Sequence, residues 1–445
     1  MKKLPAVILL CLALPLTGRT QAPIGGKAAP SATGYKLLAV KATGTSRYTD
    51  KEILAASGLE LGQSAADGDF KEAARRLGNS GLFTDVIYSF SYSDAGAKLD
   101  FHLTDIDKSK LVPVHFENFV WFTDAELLSA VQRQIPLFKQ LLPVAGRLAD
   151  QVNEVLQALL TEKHLPGRVD FLREGTQEGG DLIGIVYKVE EVSIRIRNLE
   201  FPGASAEQSA FLTAGVRRLV GVQYSRSELA TVARFDLLPL YLQRGYLKAS
   251  FATSDAHVVT ASETKGEAPP ADEVEVDAIL PVTPGKVYSV SGVTWKGNSA
   301  VTTEEAAPLF HLATGQHADA VRLAHDAESL AKLYRSRGYM TAQLKPDAQL
   351  DDENSTVHYN MNIAEGDLYK MGELEILGVD TTSKDRLREA WKLREGEPYN
   401  PDYTRKFLEG APSFLPRGFQ YSLKLSEDLD AKSKTVDVTI HFKPQ

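Results

Sequence analysis

Cysteine is almost absent from this sequence, because Cys11 is the single one among 445 residues. It lies in an apolar run near the N-terminus, so the rest of the chain can form neither a disulfide framework nor a site built on cysteine ligands or a cysteine nucleophile. Beyond that run, no segment is apolar enough and long enough to predict a transmembrane helix.

Continuous basic stretches are also missing. The chain has 50 Lys and Arg residues against 58 Asp and Glu residues, which gives a formal net charge of −8. Nucleic acids and anionic membrane surfaces are recognised by concentrated positive charge, which this mildly acidic chain does not offer. We therefore expect no nucleic-acid partner.

Clusters of the kind that carry catalysis are missing as well. His311, His317 and His325 are the nearest approach to a histidine group, but neither an HExxH motif nor paired cysteines accompany them. The acidic run at 351–354 lacks the glycine and the spaced ligands of a calcium loop, and a solvated hairpin turn explains it better. We predict no catalytic residue, no metal, no cofactor and no small-molecule substrate.

The N-terminus has the features of a secretory signal. Lys2 and Lys3 precede the run LPAVILLCLALPL, which is too short to cross a bilayer comfortably. We assign residues 1–22 to a signal peptide and residues 23–34, rich in Pro, Gly, Ala and Ser, to a flexible leader. The sequence thus predicts an exported protein.

The main positive feature is an internal repeat, clearest between Leu323 and Ile363. Apolar residues recur there at steps of three and four, a glycine ends the helix, and the apolar period then changes to two. The pattern predicts a helix that covers one face of a hairpin. Similar layouts recur at steps of about 80 to 90 residues, which indicates a repeat protein. The glycines that end the helices are Gly81, Gly245, Gly338 and Gly418.

Each copy begins with an apolar strand and a short helix. The starts of these helices carry a capping residue followed three positions later by an acid or amide: Thr49 with Glu52, Thr123 with Glu126, Ser205 with Gln208, Thr302 with Glu305, and Thr382 with Asp385. The sequence therefore predicts an α+β fold, a tandem array of about five small β-α-α-β-β domains, each a three-stranded mixed sheet covered by two helices. We place repeats 1 to 5 at residues 35–105, 111–191, 193–281, 287–365 and 369–444.

Repeat 2 departs most from the pattern, because the apolar stretch QIPLFKQLLPVAG lies between its helices. One interpretation is that this stretch packs over its own domain. The other is that it forms an exposed apolar patch that docks a partner, since large uncovered apolar patches usually mark interaction sites. The candidate residues for such a patch are Leu137, Phe138, Leu141 and Leu142.

The repeated unit, the helix end YRSRGY, the alternating strand after it and the segment NIAEGDLYKMGELEILG resemble POTRA domains, which precede the β-barrel of BamA-type and TamA-type outer-membrane assembly proteins. The resemblance covers the chain from about Tyr35 and is clearest between Tyr288 and Gly378. It implies a periplasmic array that receives unfolded outer-membrane proteins by strand addition at a sheet edge. The edge is expected at the equivalent strand of every repeat, and in repeat 4 it consists of Tyr339, Met340, Thr341, Ala342, Gln343 and Leu344.

In this sequence Phe442 is followed by only Lys443, Pro444 and Gln445, so we expect an array without a barrel of its own. The leading interpretation is a non-enzymatic periplasmic protein, associated with the outer membrane, that binds outer-membrane protein precursors and works beside a separate β-barrel or another assembly subunit. The alternative is an envelope or secretion scaffold that binds one folded partner through specific side-chain contacts. A third interpretation, an enzyme with a site between repeats, has no residue cluster to support it.

Overall fold

The computed structural model describes residues 34–176, 180–259, 273–416 and 418–444. The expected signal peptide, nearly all of the leader and the loop at 260–272 lie outside these ranges. The contacts divide the chain into two compact units, with the break between Ser193 and Ile194. Each unit contains more than one predicted repeat, so the limits of the individual repeats stay a prediction.

The first unit contains two mixed sheets with helices on one face. Its helices and strands are β1 (Tyr35–Thr43), α1 (Asp50–Ser57), β2 (Ser64–Ala65), α2 (Asp67–Asn79), β3 (Phe83–Ser93), β4 (Gly96–Asp105), β5 (Leu111–Glu117), α3 (Asp124–Gln134), β6 (Leu141–Pro143), α4 (Leu148–Glu162), β7 (Arg168–Gly175) and β8 (Leu182–Glu190).

The two sheets of this unit have the same topology. The last strand of each lies in the centre, parallel to the first strand and antiparallel to the strand before it, which gives the orders β2-β1-β4-β3 and β6-β5-β8-β7. The sequence predicts three strands, and each sheet has a short fourth one, β2 or β6. The fourth strand forms because the segment entering the second helix runs antiparallel to the first strand, as the hydrogen bond from Leu37 N–H to the Gln63 carbonyl shows (2.8 Å).

The second unit repeats this arrangement. Its helices and strands are β9 (Ser193–Glu200), α5 (Ala206–Val216), α6 (Arg226–Val232), α7 (Leu238–Leu242), β10 (Ser250–Phe251), β11 (Asp255–Val258), β12 (Glu273–Ile279), β13 (Val282–Thr283), β14 (Ser289–Lys296), α8 (Thr303–Ala306), α9 (Ala320–Ser336), β15 (Gln343–Asp351), β16 (Thr356–Ala364), β17 (Lys370–Leu377), α10 (Thr381–Ala390), α11 (Pro401–Gly410), β18 (Tyr421–Asp430) and β19 (Thr435–Pro444).

Three sheets of the second unit have the predicted three strands, and a central strand that comes late in each repeat gives the orders β11-β12-β9, β14-β16-β15 and β17-β19-β18. Alternate residues of the central strands face the helices, which explains why Val436, Val438, Ile440 and Phe442 of β19 are all completely buried. The predicted α+β fold and tandem arrangement are therefore confirmed.

Four of the five predicted capping pairs begin helices as expected. At each, the hydroxyl of Thr49, Thr123, Ser205 or Thr302 accepts a hydrogen bond from the N–H three residues later, and the side chain there bonds back to the cap N–H. The fifth pair, Thr382 with Asp385, is wrong. Asp380 is the cap and accepts from Ser383 N–H (3.0 Å), because aspartate is at least as good an N-cap as threonine and stands two residues earlier.

The glycines at the helix ends also join consecutive repeats. Gly245 and Gly338 have φ angles of +85° and +92°, a region that favours glycine. Their carbonyl oxygens accept hydrogen bonds from the N–H groups of Tyr288 and Tyr369, each at 2.8 Å, where the next repeat begins. In repeat 2, His164 takes the equivalent left-handed position with a φ of +53°.

Candidate binding site at the free edges of the sheets

The strand expected at Tyr339–Leu344 begins later than predicted. Residues 339–342 form a turn in which Tyr339 N–H donates to the Tyr334 carbonyl, and β15 starts at Gln343. Tyr339, Ala342 and Leu344 pack on the core of repeat 4, while Met340 packs on the core of repeat 5. The predicted start of the strand is wrong, because alternating apolar residues after the glycine are equally compatible with a turn that buries them.

The apolar stretch of repeat 2 packs on its own domain. Leu137, Phe138 and Leu142 are buried, and Leu142 pairs with Val112 through β6. Leu141 alone among the four candidates is exposed, at 42%. Of the two interpretations left open by the sequence, the packed loop is the one that the structure supports.

The histidine and acidic residues noted in the sequence have structural partners. Asp326 is fully buried, and its carboxylate accepts from His311 N–H (2.7 Å) and contacts His311 Nδ1 (2.8 Å), which ties the loop before α9 to that helix. Asp351 caps the hairpin turn through Asn354 N–H (3.0 Å). Across the described residues, no group of three or more His, Cys, Asp or Glu side chains is placed to hold a metal ion.

The outer strand of repeat 5, β18, has an unpaired backbone edge. Lys370 N–H donates to the Lys434 carbonyl (2.9 Å), so Val436 and every second residue after it bond to β17. The intervening residues of β19 bond to β18 at Lys424, Ser426 and Asp428. Consequently, the N–H and C=O groups of the odd-numbered residues of β18 point away from the sheet. No partner for them is present among the residues that the structure describes.

These outward-pointing residues also form an apolar row beside the edge. The row consists of Leu423, Leu425 and Leu429, which are 41%, 37% and 42% exposed. Alternate side chains of a strand share one face, so a strand added at this edge would place its own alternate side chains next to these leucines. The edge therefore offers both hydrogen-bonding groups and apolar surface.

One acidic residue interrupts the row. Glu427 turns inward and accepts a hydrogen bond from the hydroxyl of the fully buried Tyr399, which also contacts Thr404 Oγ1 (2.9 Å). Burial, together with this hydrogen bond, raises the pKa of Tyr399, so its hydroxyl stays a donor at any physiological pH. Glu427 thus fixes β18 to its own core without using the groups at the edge.

Repeat 1 has a similar edge on β3. Ile106 N–H donates to the Leu82 carbonyl (3.0 Å), so the even-numbered residues of β4 bond to β3. Their partners on β3 have odd numbers. The backbone groups of Val86, Tyr88 and Phe90 therefore point away from the sheet. These side chains pack on the core of the first unit. The first unit therefore carries an edge of the same type, eleven residues long.

The other edges in the second unit are weaker. In β15 the outward residues include Pro346, which has no N–H to offer and lies opposite Met361. In repeat 3 the edge strand β11 is only four residues long. The sequence predicts an edge in repeat 4 and at the equivalent strands of the other repeats, and Pro346 already indicates an interruption in repeat 4. The alternation of Tyr421, Leu423 and Leu425 was the signal that could have identified repeat 5.

No helix in the described part of the chain is both long and apolar enough to cross a membrane.

Comparisons with known proteins agree with the architecture. Residues 288–366 match the family model described as POTRA, surface antigen variable number repeat. The outer membrane protein assembly factor BamA of Neisseria meningitidis serogroup B is 21% identical over 319 residues, which cover 68% of this chain and 38% of that protein. The protein of the same name from Buchnera aphidicola is 23% identical over 176 residues, 39% of this chain and 28% of that protein.

A crystal structure of Haemophilus influenzae BamA POTRA3-5 is 18% identical, with a TM-score of 0.42, and covers 57% of this chain and 96% of that one. The chain spans between 27% and 38% of the length of the curated relatives that it matches. Residues 288–366 therefore match the POTRA family, and up to 68% of the chain is similar to BamA-type outer-membrane protein assembly factors.

Proposed function

We propose that this chain is a periplasmic, non-enzymatic POTRA-repeat protein that binds extended segments of outer-membrane protein precursors by strand addition. In this proposal it assists β-barrel assembly at the outer membrane, beside a separate barrel or another assembly subunit. The observation that carries the proposal is the edge of β18, where Leu423, Leu425 and Leu429 each combine an exposed side chain with outward N–H and C=O groups.

The relatives support the setting of this proposal. The matched proteins are named as outer membrane protein assembly factors, and the apolar N-terminal run of this sequence is typical of an exported chain. Strand addition also suits the task, because main-chain hydrogen bonds supply affinity without requiring one particular sequence. A precursor strand of a barrel has the alternating apolar and polar residues that such an edge would accept.

The alternative, a scaffold that recognises one folded partner, has less support. It depended on an apolar surface at residues 137–142, and three of its four candidate residues are buried in repeat 2. Leu141 by itself offers too little apolar area for a specific interface.

A direct test measures peptide binding to the full chain and to the variant Leu425→Pro. Proline at this position removes one outward N–H and leaves the bonds to β19 intact, and Pro346 in β15 shows that such a position tolerates proline. The probe is a ten-residue peptide with alternating apolar and polar residues, followed by fluorescence anisotropy. Since the edge of β3 stays open in this variant, binding is fitted to two sites, and we expect the affinity of the β18 site to fall about tenfold. A lost hydrogen bond and a disturbed register together are worth about 1.4 kcal/mol.

Leu425→Ala is the matched control, because it shortens the same side chain but keeps the N–H group. We expect this variant to bind more tightly than the proline variant. A peptide N-methylated on alternate residues provides a second control, since methylation of one register should abolish binding and methylation of the other should not. Equal affinity of the β18 site in wild type and Leu425→Pro would contradict strand addition there.

Cross-linking in cells, followed by capture of the chain and mass spectrometry, tests the biological setting. Recovery of a β-barrel protein together with several outer-membrane precursors would support the assembly role. Recovery of one soluble or inner-membrane partner, without any barrel protein, would favour the scaffold.

A further inference from the structure

The outer strand of repeat 2, β7, differs from the other edges because both outward backbone groups of Val169 are already bonded. Val169 N–H donates to Gln157 Oε1 at 2.8 Å, and Asn153 Nδ2 donates to the Val169 carbonyl at 3.3 Å. Both side chains come from α4. An added strand would need the same N–H and C=O groups, so the two amides satisfy them as a bound peptide would.

A second outward group on β7 is bonded locally. Val169 N–H points away from β8, and since alternate residues share a direction, Phe171 N–H points the same way. That N–H donates to the Oδ1 atom of Asp170 at 2.8 Å. Two successive donors of this edge are therefore engaged within repeat 2.

The helix α4 places the two amides together beside the strand. Asn153 and Gln157 are four residues apart in α4, so they lie one above the other on the same face. Within the described part of the chain, Asn153 Oδ1 is buried without a hydrogen-bond partner. Burial of this oxygen without a partner is unfavourable, and an apolar residue at position 153 would avoid it. The hydrogen bond from Asn153 Nδ2 to the Val169 carbonyl is the interaction that explains an asparagine here.

The corresponding positions in repeats 1 and 4 carry no such groups. Gln157 and Asn153 stand seven and eleven residues before the left-handed residue His164. Counting back equally from Gly81 and Gly338 gives apolar residues at both positions: Ala74 and Phe70 in repeat 1, and Ala331 and Ala327 in repeat 4. The bonded edge is thus a property of repeat 2 and not of the repeated unit.

We propose that Asn153 and Gln157 act as an internal substitute for an added strand and close the edge of repeat 2 to peptides. The proposal rests on the strand addition put forward above, which it refines: extended precursor segments bind at β3 and β18, and β7 takes no part. The two amides are then specificity-determining residues, since they decide which repeats accept a strand.

The test uses the full chain and the double variant Asn153→Ala with Gln157→Ala. Alanine favours the helix, so we expect α4 to persist. Gln151→Ala is the control, because it removes an exposed amide from the same helix. The first measurement is hydrogen exchange, in which the Val169 amide should exchange at least about tenfold faster in the double variant and at the wild-type rate in the control. Equal exchange of Val169 in wild type and double variant would overturn the proposal.

The second measurement maps where a photo-crosslinking peptide of alternating apolar and polar residues attaches. In wild type we expect cross-links on β3 and β18 and none on β7. The double variant should gain cross-links on residues 168–175. Cross-links on β7 of the wild type would overturn the closed edge, as would a double variant that still binds at β18 but gains nothing on β7.

The two proposals can fail separately. If neither the wild type nor the double variant binds the peptide at any edge, strand addition is refuted. The proposed role of Asn153 and Gln157 in excluding peptides is then refuted with it. Accelerated exchange of Val169 would then assign Asn153 and Gln157 a purely structural role.

Discussion

Replacement of Gly338 by alanine should weaken the joint between repeats 4 and 5. Gly338 has a φ of +92°, and a Cβ atom at this position would lie 2.7 Å from the Tyr369 carbonyl oxygen. The carbonyl of Gly338 also accepts the hydrogen bond from Tyr369 N–H at 2.8 Å. The substitution therefore opposes both the backbone conformation and the contact with the next repeat.

The expected magnitude has two parts. An L-residue in the left-handed region costs about 1–2 kcal/mol, and loss of the Tyr369 hydrogen bond costs about 1 kcal/mol more. We therefore expect about 2–3 kcal/mol in total. Gly315 is a matched control, because its φ is +87° but a Cβ atom added there would have no neighbouring atom within 4 Å. Gly315→Ala should therefore show only the cost of the left-handed backbone conformation, about 1–2 kcal/mol.

Hydrogen exchange of the Tyr369 amide is the suitable assay, because it reports the local opening of the joint and does not require the whole chain to unfold in one step. The Gly338→Ala variant should accelerate this amide by about ten-fold or more, since about 1.4 kcal/mol corresponds to a factor of ten. Gly315→Ala should leave it close to the wild-type rate. Similar rates in both variants would refute the idea that Gly338 joins the two repeats.

Two further predictions concern a carboxylate and the apolar stretch of repeat 2. Hydrogen bonds from Arg337 and from Thr302 N–H lower the pKa of Glu305 to about 2, so the stabilisation it gives is complete above about pH 4.5 and is lost as the pH falls through about 2. An NMR titration should show this midpoint, and Arg337→Met should move it toward 4.5; a midpoint near 4.5 in both proteins would contradict the interaction. Phe138→Ser should lower the free energy of unfolding by about 3–5 kcal/mol, whereas Leu141→Ser should change it by less than about 0.5 kcal/mol. Urea denaturation that found equal effects would contradict the burial of Phe138.

The start of the first helix could be predicted in four of the five repeats because capping is local. The hydroxyl of Thr49 and the carboxylate of Glu52 are three residues apart, and that spacing alone lets each bond the backbone of the other. The exception, at Asp380, shows the limit of the same rule. Asp380 and Thr382 are both good capping residues and lie two positions apart. Which of them begins the helix depends on the position at which the preceding strand ends.

The free edge was located less well. Alternation predicts that a segment forms a strand and which residues share a face, but the strand that follows Gly338 begins only at Gln343 because the preceding residues fill the cores of two repeats. Likewise, the sequence shows Gln157 and Val169 twelve residues apart without indicating that they bond. Contacts across a helix and a strand depend on how the two are packed.

The sequence by itself determined the repeated unit, its α+β fold, the order of helices and strands, and the glycines that follow three of the helices, because periodicity, capping and backbone conformation are properties of neighbouring residues. The prediction for the fourth glycine, Gly418, was wrong, since α11 already ends at Gly410. The tertiary structure decided which apolar residues are buried, as with Phe138. It also decided which edges have unpaired backbone groups, as with β18, and which have bonded ones, as with β7. Those outcomes depend on side chains distant in sequence, such as Asn153 and Val169, whose distance is fixed only when the helix packs on the sheet.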